Sequence, residues 1–324
     1  MNLKTKMEKV IHNSYKNIGG IVVRKEGEIV YENYLNQCNE DSTFHVFSVT
    51  KSIISILIGI AIDQGHIKSI NQKVLNFFPD YKVKEGEKAI QNITLKELLT
   101  MTAPYKYKTE PYTEYFSSDS WVKASLDFLG GKGKIGEFRY APLIGPDILS
   151  GILVNATGQS VLDFATKYLF APLEISVESN VIFQNKEEQM AFYKARNVKG
   201  WVTDPTGVNT AGWGLNLTAR DMAKIGQLYL DCGVWNGKQI VSSEWINGST
   251  RKQSKGGKLA YGYLWWIIDE KEGAYAAMGD GGNIIYVNEK KKIVISIASL
   301  LENNARDRIK LIREYMEPVF TKCV

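Results

Sequence analysis

The stretch Phe47-Ser48-Val49-Thr50-Lys51-Ser52, followed by the apolar run of residues 53–62, organises the rest of this chain. A serine and a lysine three positions apart on a helix lie on the same face, one turn from each other. At a helix N-terminus the serine oxygen faces the partial positive end of the dipole, and its backbone N–H has no partner within the helix. The stretch therefore predicts a nucleophile at Ser48, a proton acceptor at Lys51 and one half of an oxyanion site. The S-x-x-K spacing alone is a weak signal, but the apolar helix that follows it here favours an active site.

The composition excludes several classes of protein. With 324 residues, 44% hydrophobic and 23% charged, the chain is typical of a soluble globular protein. The net charge of +5 comes from scattered lysines, and the longest basic run, residues 290–292, fits a solvated hairpin turn better than a nucleic-acid site. No apolar stretch reaches the ~18 residues that a membrane span requires, and the first residues lack the apolar segment of a signal peptide.

The cysteines and histidines indicate neither disulfides nor metal. Cys38, Cys232 and Cys323 are odd in number and far apart, which favours reduced thiols and a cytoplasmic location. The three histidines do not have the spacing of metal ligands, so we expect no metal and no cofactor.

The hydrophobic patterns predict an α+β fold. Residues 19–33 have the pattern of a β-hairpin, and the C-terminal part has four strand patterns, at residues 261–268, 274–278, 284–287 and 293–299. Helices are predicted between and after these strands, at residues 118–128, 147–157, 161–170, 218–230 and 306–319. We therefore expect one antiparallel sheet flanked by helices and interrupted by an inserted, mostly helical lobe. The prediction is a single domain over residues 1–324, with an α/β lobe of about residues 1–75 and 215–324 and a helical lobe of about residues 76–214.

Two segments allow more than one interpretation. His45 could be a catalytic base, but it lies on the extended segment that enters the Ser48 helix, so we expect a structural role. Residues 103–115 are rich in tyrosine and proline and have no periodicity. They form either a functional surface loop or lid, or an aromatic patch that covers the helical lobe.

Taken together, these segments resemble the serine hydrolases of the class C β-lactamase and penicillin-binding protein superfamily, which also contains esterases, D-aminopeptidases and hydrolases of short synthetic amides. The resemblance extends over about residues 18–320. It rests on five segments in order: S-V-T-K-S at 48–52, L-L-T-M-T at 98–102, F-R-Y at 138–140, the helix pattern at 218–230 with G-V-W-N-G-K after it, and the Gly-rich hairpin before the final strands.

The resemblance assigns roles to three side chains. It implies that Ser48 is the acylated nucleophile, that Lys51 is its partner one helix turn away, and that Tyr140 is a second base. Tyr140 would accept the proton from Ser48 and later from water. Without the resemblance, Tyr140 would be interpreted as a core tyrosine before a helix.

The chain departs from the family pattern at two places. Pro142 stands where the second element, Y-x-N, usually has an asparagine that binds the substrate amide, so recognition of β-lactams is in doubt. The third element, usually K/H-x-G, has no lysine or histidine here. We place it at residues 277–279, which makes the N–H of Asp280 the second oxyanion donor. A shifted register would give that role to Gly282 or Asn283.

The missing cation changes the expected substrate. Residues 255–257, Lys-Gly-Gly, imitate the third element but precede the strand pattern at 261–268, one strand too early. Without a lysine or histidine, no charge is available at that place for the carboxylate of a penicillin or a D-Ala peptide. This favours an esterase or amidase.

The sequence thus predicts a cytoplasmic serine hydrolase that acts through a covalent acyl-enzyme on a small ester, amide or peptide-like substrate. The alternatives are a weak β-lactamase or D-amino-acid peptidase, and a non-catalytic relative that binds such a ligand. Gly279, Tyr112 and Trp213 are the predicted pocket residues. Nucleic acid is not an expected partner, and the oligomeric state stays open.

Overall fold

The structure, a computed structural model, describes residues 2–321. Its strands are β1 (Ile18–Lys25), β2 (Glu28–Tyr34), β3 (Thr43–His45), β4 (Ser179–Val181), β5 (Gly200–Val202), β6 (Asn216–Thr218), β7 (Val234–Trp235), β8 (Lys238–Gln239), β9 (Ser254–Gly256), β10 (Leu259–Tyr261), β11 (Trp266–Asp269), β12 (Ala274–Gly279), β13 (Asn283–Asn288) and β14 (Ile293–Ser299). Its α-helices are α1 (Leu3–Ser14), α2 (Val49–Asp63), α3 (Leu95–Leu99), α4 (Tyr112–Phe116), α5 (Trp121–Phe128), α6 (Ile144–Thr157), α7 (Val161–Ala165), α8 (Lys186–Phe192), α9 (Ala219–Leu230), α10 (Ser243–Ser249), α11 (Arg308–Leu311) and α12 (Glu317–Phe320).

An eight-stranded antiparallel sheet joins the two ends of the chain. Its strand order is β2-β1-β14-β13-β12-β11-β10-β9, and β1 pairs with β14 so that Ile21 lies opposite Ile297. The predicted α+β fold, with an antiparallel sheet flanked by helices, is confirmed. The division into two lobes stays a prediction.

The central strands are buried on both faces, because helices cover each side of the sheet. On β13, Ile284 and Tyr286 belong to a core cluster with α1 and the C-terminal helices, whereas Ile285 and Val287 pack into the cluster that contains α2 and α9. This period of two follows from the pleat, which directs successive side chains to opposite faces. The sheet therefore provides the rigid support on which α2 lies.

Local capping signals place the helices that carry the site. Thr218 and Asp221 form a capping box at the start of α9, and Gly158 ends α6 in the left-handed conformation. The predicted helix 161–170 begins as α7 and continues as a π-helical turn to Phe170. The segments predicted from the sequence as helices thus form helices, within a few residues of their predicted ends.

One prediction about the strands needs correction. Residues 261–268 do not form one strand: β10 and β11 are the arms of a hairpin, because Leu264 adopts a positive φ of 61° and its N–H bonds to the Leu99 carbonyl. Residues 103–115 have features of both alternatives that the sequence leaves open, since Tyr105 and Tyr115 are buried whereas Tyr112, where α4 begins, is exposed. Helix α1 had no counterpart in the sequence prediction, because its apolar face is short and contributes only Met7 and Ile11 to the core.

Within residues 2–321, no single helix is long and apolar enough to cross a membrane. The pair Ile144–Thr157 and Val161–Phe170, bent by 77°, meets the same length and composition criteria only when its two halves are taken together.

Candidate active site

A strained turn presents Ser48 at the start of α2. The preceding residue, Phe47, has a positive φ of 48°, which costs a non-glycine residue about 1–2 kcal/mol. Hydrogen bonds hold the turn, since the hydroxyl and the N–H of Thr50 both donate to the Phe47 carbonyl, at 2.6 and 3.0 Å. Ser48 is the N-cap of α2, and within the described residues its N–H makes no backbone hydrogen bond. The turn thus leaves both the hydroxyl and the N–H of Ser48 available to a ligand.

Lys51 is buried beside Ser48. Its side chain is only 1% exposed, and its Nζ lies 2.7 Å from Ser48 Oγ and 2.8 Å from the carbonyl oxygen of Gly212. The i, i+3 spacing brings Lys51 to the serine, as the sequence predicts. The second contact comes from a residue 161 positions away, which the sequence pattern did not reveal.

Three side chains fix the loop of residues 210–214. Two come from other elements of the fold and one from the loop itself. Asp147 Oδ1 accepts from the N–H groups of Ala211 and Gly212, at 2.7 and 3.2 Å. His45 Nε2 accepts from Gly214 N–H at 2.9 Å, and the Thr210 hydroxyl donates to the Trp213 carbonyl. Burial lowers the pKa of His45 to about 3, so this ring is neutral and serves as an acceptor. The structural role predicted for His45 is confirmed.

Tyr140 lies close to Lys51. Lys51 Nζ is 5.5 Å from the centroid of the Tyr140 ring, which packs against Tyr261 and Trp266. Its neighbour Arg139 donates to the carbonyls of Tyr105 and Tyr107 and thereby anchors the segment. No hydrogen bond joins the Tyr140 hydroxyl to Ser48 within the described part of the chain. Such bonds often shorten only when substrate is bound, so the second-base role stays a proposal.

The end of β12 lies directly against the nucleophile turn. A Cβ at Gly279 would lie 2.2 Å from the Val46 carbonyl oxygen and 3.1 Å from the Ser48 nitrogen. Only glycine permits this approach, which places Asp280 at the edge of the cavity that contains Ser48. The geometry favours Asp280 over Gly282 or Asn283 as the second donor. Residues 255–257, the imitation of the third element, lie around β9 at the far edge of the sheet.

The turn after β12 is clamped on both sides. Asn283 Nδ2 donates to the carbonyls of Asp280 and His45, at 2.8 and 3.4 Å. Asn17 Nδ2 and the buried Arg308 donate to the carbonyl of Gly281. These bonds join the Asp280 turn to the segment that precedes Ser48, to Asn17 after α1 and to Arg308 at the start of α11.

An aromatic cavity of about 710 Å³ opens beside Ser48. Two of the predicted pocket residues, Tyr112 and Trp213, line it, whereas Gly279 does not and instead packs against the Ser48 backbone. The aromatic side chains of its wall are Phe47, Tyr112, Phe116, Trp121, Phe183, Tyr193 and Trp213. Such a wall, with a few polar groups, is typical of a site for a small organic ligand.

The sequence prediction missed two charged residues near the site. Glu110 is half-buried, and its pKa is raised by burial although Tyr107, Arg139 and Lys51 act to lower it. Lys186, at the start of α8, is exposed and lines the cavity. The segments that contain them show no hydrophobic periodicity, so nothing in the sequence indicated that folding would bring them near the Ser48 cavity. Within residues 2–321, no group of three or more His, Cys, Asp and Glu side chains is placed to hold a metal ion.

The comparison with known families agrees with this geometry. A family model described as Beta-lactamase matches residues 7–317 of the chain. The chain belongs to the beta-lactamase family. The match confirms the resemblance seen in the sequence, and it covers the nucleophile turn, the F-R-Y segment and the third element together.

The chain is similar to three known proteins. It is 24% identical to the 6-aminohexanoate-dimer hydrolase of Paenarthrobacter ureafaciens over 297 residues. The aligned region covers 85% of this chain and 70% of that protein. The solved structure of a penicillin-binding protein homologue from Caulobacter crescentus has a TM-score of 0.72 at 16% identity and covers 94% of this chain and 92% of that chain. A family VIII carboxylesterase gives a TM-score of 0.71 at 15% identity, over 97% of this chain and 95% of that chain. At these identities, the two structures establish the fold.

Proposed function

We propose that this protein hydrolyses a small ester or amide through a covalent acyl-enzyme formed on Ser48. The observation that carries the proposal is the position of a buried lysine amine, 2.7 Å from the hydroxyl of a serine at the mouth of an aromatic cavity. The broader class, a serine hydrolase of the beta-lactamase type, follows from the family.

Ser48 Oγ would attack the carbonyl carbon of the substrate, and its proton would pass to Lys51 or Tyr140. The negative charge that develops on the carbonyl oxygen would be held by the N–H groups of Ser48 and Asp280. The tetrahedral intermediate then expels the alcohol or amine, which takes up the proton, and leaves the acyl group on Ser48. A water molecule, deprotonated by the same base, attacks the ester carbonyl, and the carboxylic acid leaves as Oγ regains its proton.

The cavity supports a substrate with an apolar acyl or leaving group. Its aromatic wall offers large contact areas, and aromatic side chains bind rings and alkyl chains with little loss of conformational freedom. Pro142 lines this cavity and provides no side-chain amide for a substrate amide bond. These features support esters and simple amides over β-lactams. The relatives named above act on an aminohexanoate dimer and on carboxylic esters, by their names, which agrees with this range.

The test compares the wild type with Ser48→Ala on p-nitrophenyl acetate and butyrate, together with labelling by a fluorophosphonate. We expect turnover and stoichiometric labelling of the wild type, and the loss of both in the variant. Ser55→Ala is the matched control, because Ser55 is buried in the same helix two turns further on. Equal inertness of wild type and Ser48→Ala would refute the enzymatic proposal. Labelling without turnover would instead identify a non-catalytic binder.

Lys186 favours a second candidate substrate class. It is the one lysine or arginine in the wall of the Ser48 cavity, and it makes no salt bridge within residues 2–321. A lysine at this position can pair with a carboxylate and so replace the missing cation of the third element. Peptide-like acids and β-lactams are therefore the alternative, and Lys186→Met should lower kcat/KM for nitrocefin or a D-Ala-D-Ala peptide but not for p-nitrophenyl butyrate. Equal kcat/KM values of wild type and Lys186→Met for the acids would contradict it.

A cytoplasmic location is part of the proposal. It is supported by the sparse cysteines, of which Cys38 and Cys232 are free thiols in the structure, while Cys323 lies outside the described residues. Western blotting of separated cell fractions tests it, and recovery of the protein outside the cytoplasmic fraction would contradict it.

A further inference from the structure

Asp147 carries a buried carboxylate that lies outside the lining of the Ser48 cavity. It lies in the first turn of α6 and is only 2% exposed. Its Oδ1 accepts the N–H groups of Ala211 and Gly212, and Oδ2 accepts the hydroxyl of Tyr115. Within residues 2–321 it has no lysine or arginine partner. Burying a charge without such a partner is costly, so its three hydrogen bonds must compensate.

The residue that Asp147 fixes is the one that holds Lys51. Gly212 donates its N–H to Asp147, and its carbonyl accepts from Lys51 Nζ at 2.8 Å. The loop packs closely against the segment that follows F-R-Y, since a Cβ at Gly212 would lie 2.5 Å from the Pro142 carbonyl oxygen, so position 212 has room only for glycine. Asp147 thus binds the N–H of a glycine that is closely packed on its other contacts.

We propose that Asp147 is a positioning residue, which holds the Gly212 carbonyl in place and thereby holds Lys51 beside Ser48. The inference rests on the proposed function of Ser48 and Lys51. Asp147 does not line the Ser48 cavity and so acts through Gly212, without touching the substrate. Moving a catalytic group by 1 Å can cost about 10²-fold in rate, so the loop position matters for kcat.

The charge of Asp147 predicts that the position of the Gly212 loop depends on pH. The groups that face it are Tyr115 from α4, Asp204 from the segment after β5 and, through Gly212, Lys51. Burial, with a smaller contribution from Asp204, raises the pKa of Asp147 to about 6, against the lowering effect of the bonds from Tyr115, Ala211 and Gly212. Below this pH the carboxyl becomes neutral, and charge-assisted hydrogen bonds are roughly twice as strong as neutral ones. The hold on Gly212 therefore weakens as the pH falls through about 6.

The first measurement is the pH profile of kcat for p-nitrophenyl butyrate between pH 4.5 and 9. Asp147→Asn keeps the size and one acceptor oxygen but cannot ionise. We expect its kcat at pH 7.5 to fall about 10- to 100-fold, with KM within about twofold, and its profile to lose the acid limb of the wild type. Tyr115→Phe removes a bond that lowers the pKa of Asp147, so its acid limb should move to higher pH. Asp163→Asn, at an exposed carboxylate, is the matched control and should keep the wild-type profile.

The second measurement does not depend on activity. Amide hydrogen exchange of the peptide that covers residues 208–215 should be faster in Asp147→Asn than in the wild type. An unchanged acid limb in Asp147→Asn and an unmoved limb in Tyr115→Phe would overturn the proposal, as would unchanged exchange. If Ser48 cannot be labelled at all, the proposed function fails, and the exchange measurement still decides whether Asp147 fixes the loop.

Discussion

Gly279→Ala tests whether the end of β12 supplies the second oxyanion donor. The added Cβ would lie 2.2 Å from the carbonyl oxygen of Val46 and 3.1 Å from the nitrogen of Ser48. Both neighbours are backbone atoms, so no side chain can rotate out of the way. Ordinary contact requires the strand end and the nucleophile turn to separate by about 1 Å.

The expected loss of kcat follows from the displacement of the Asp280 N–H that this separation would cause. Loss of one oxyanion donor typically costs about 10²–10³ in kcat. Overpacking of a tight contact costs about 1–3 kcal/mol of stability. We therefore expect Gly279→Ala to lower kcat by about 10²-fold, to change KM little, and to lower the free energy of unfolding by about 1–3 kcal/mol.

The assay combines steady-state hydrolysis of p-nitrophenyl butyrate, active-site counting with a fluorophosphonate, and urea unfolding. Gly248→Ala in α10 is the matched control, because its Cβ would meet only the Tyr263 ring, at 3.2 Å, and its backbone is helical. We expect the control to keep its kcat and its stability within about 1 kcal/mol. A Gly279→Ala enzyme that loses stability but keeps the wild-type kcat would refute the placement of the donor at this strand end.

Three further predictions concern the second base and the buried polar groups. Tyr140→Phe should lower kcat by about 10²–10⁴-fold if its hydroxyl moves the proton, whereas Tyr168→Phe on a distant helix should not, as stopped-flow acylation rates would show. The contribution of His45 to the free energy of unfolding should fall as the pH drops from about 6.5 toward 3, because its pKa is lowered to about 3 in the folded chain and only the unfolded chain takes up the proton, whereas the raised pKa of Asp147 acts in the opposite direction. Urea unfolding of His45→Gln should show a shallower decline, and an identical one would contradict this. Glu317 is 2% exposed and accepts hydrogen bonds from Tyr286 and Lys291. In urea titrations, Glu317→Ala should lower the free energy of unfolding by about 3 kcal/mol, and its kcat should be unchanged. A loss of kcat would contradict a purely structural role.

The sequence determined the elements whose geometry is local. The apolar run after Ser48 predicts α2, the Thr218 and Asp221 pair predicts the start of α9, and the i, i+3 spacing predicts that Lys51 shares a helix face with Ser48. A helix repeats every 3.6 residues, so side chains three apart lie on one face whatever the rest of the chain does. The prediction of one strand at residues 261–268 was wrong for a tertiary reason, since Leu264 has a positive φ and its N–H bonds to Leu99 in another segment.

Tertiary structure alone decided which distant groups complete the site. Nothing in the sequence spacing relates the carbonyl of Gly212, the carboxylate of Asp147 or the side chain of Lys186 to Ser48, even though Asp147 lies in a helix that the sequence predicts. Their positions depend on sheet register and on the packing of loops, which are set by contacts between residues far apart in the chain. The sequence therefore specified the proposed nucleophile and the proposed base nearest to it, whereas only the fold brings together the groups that contact them.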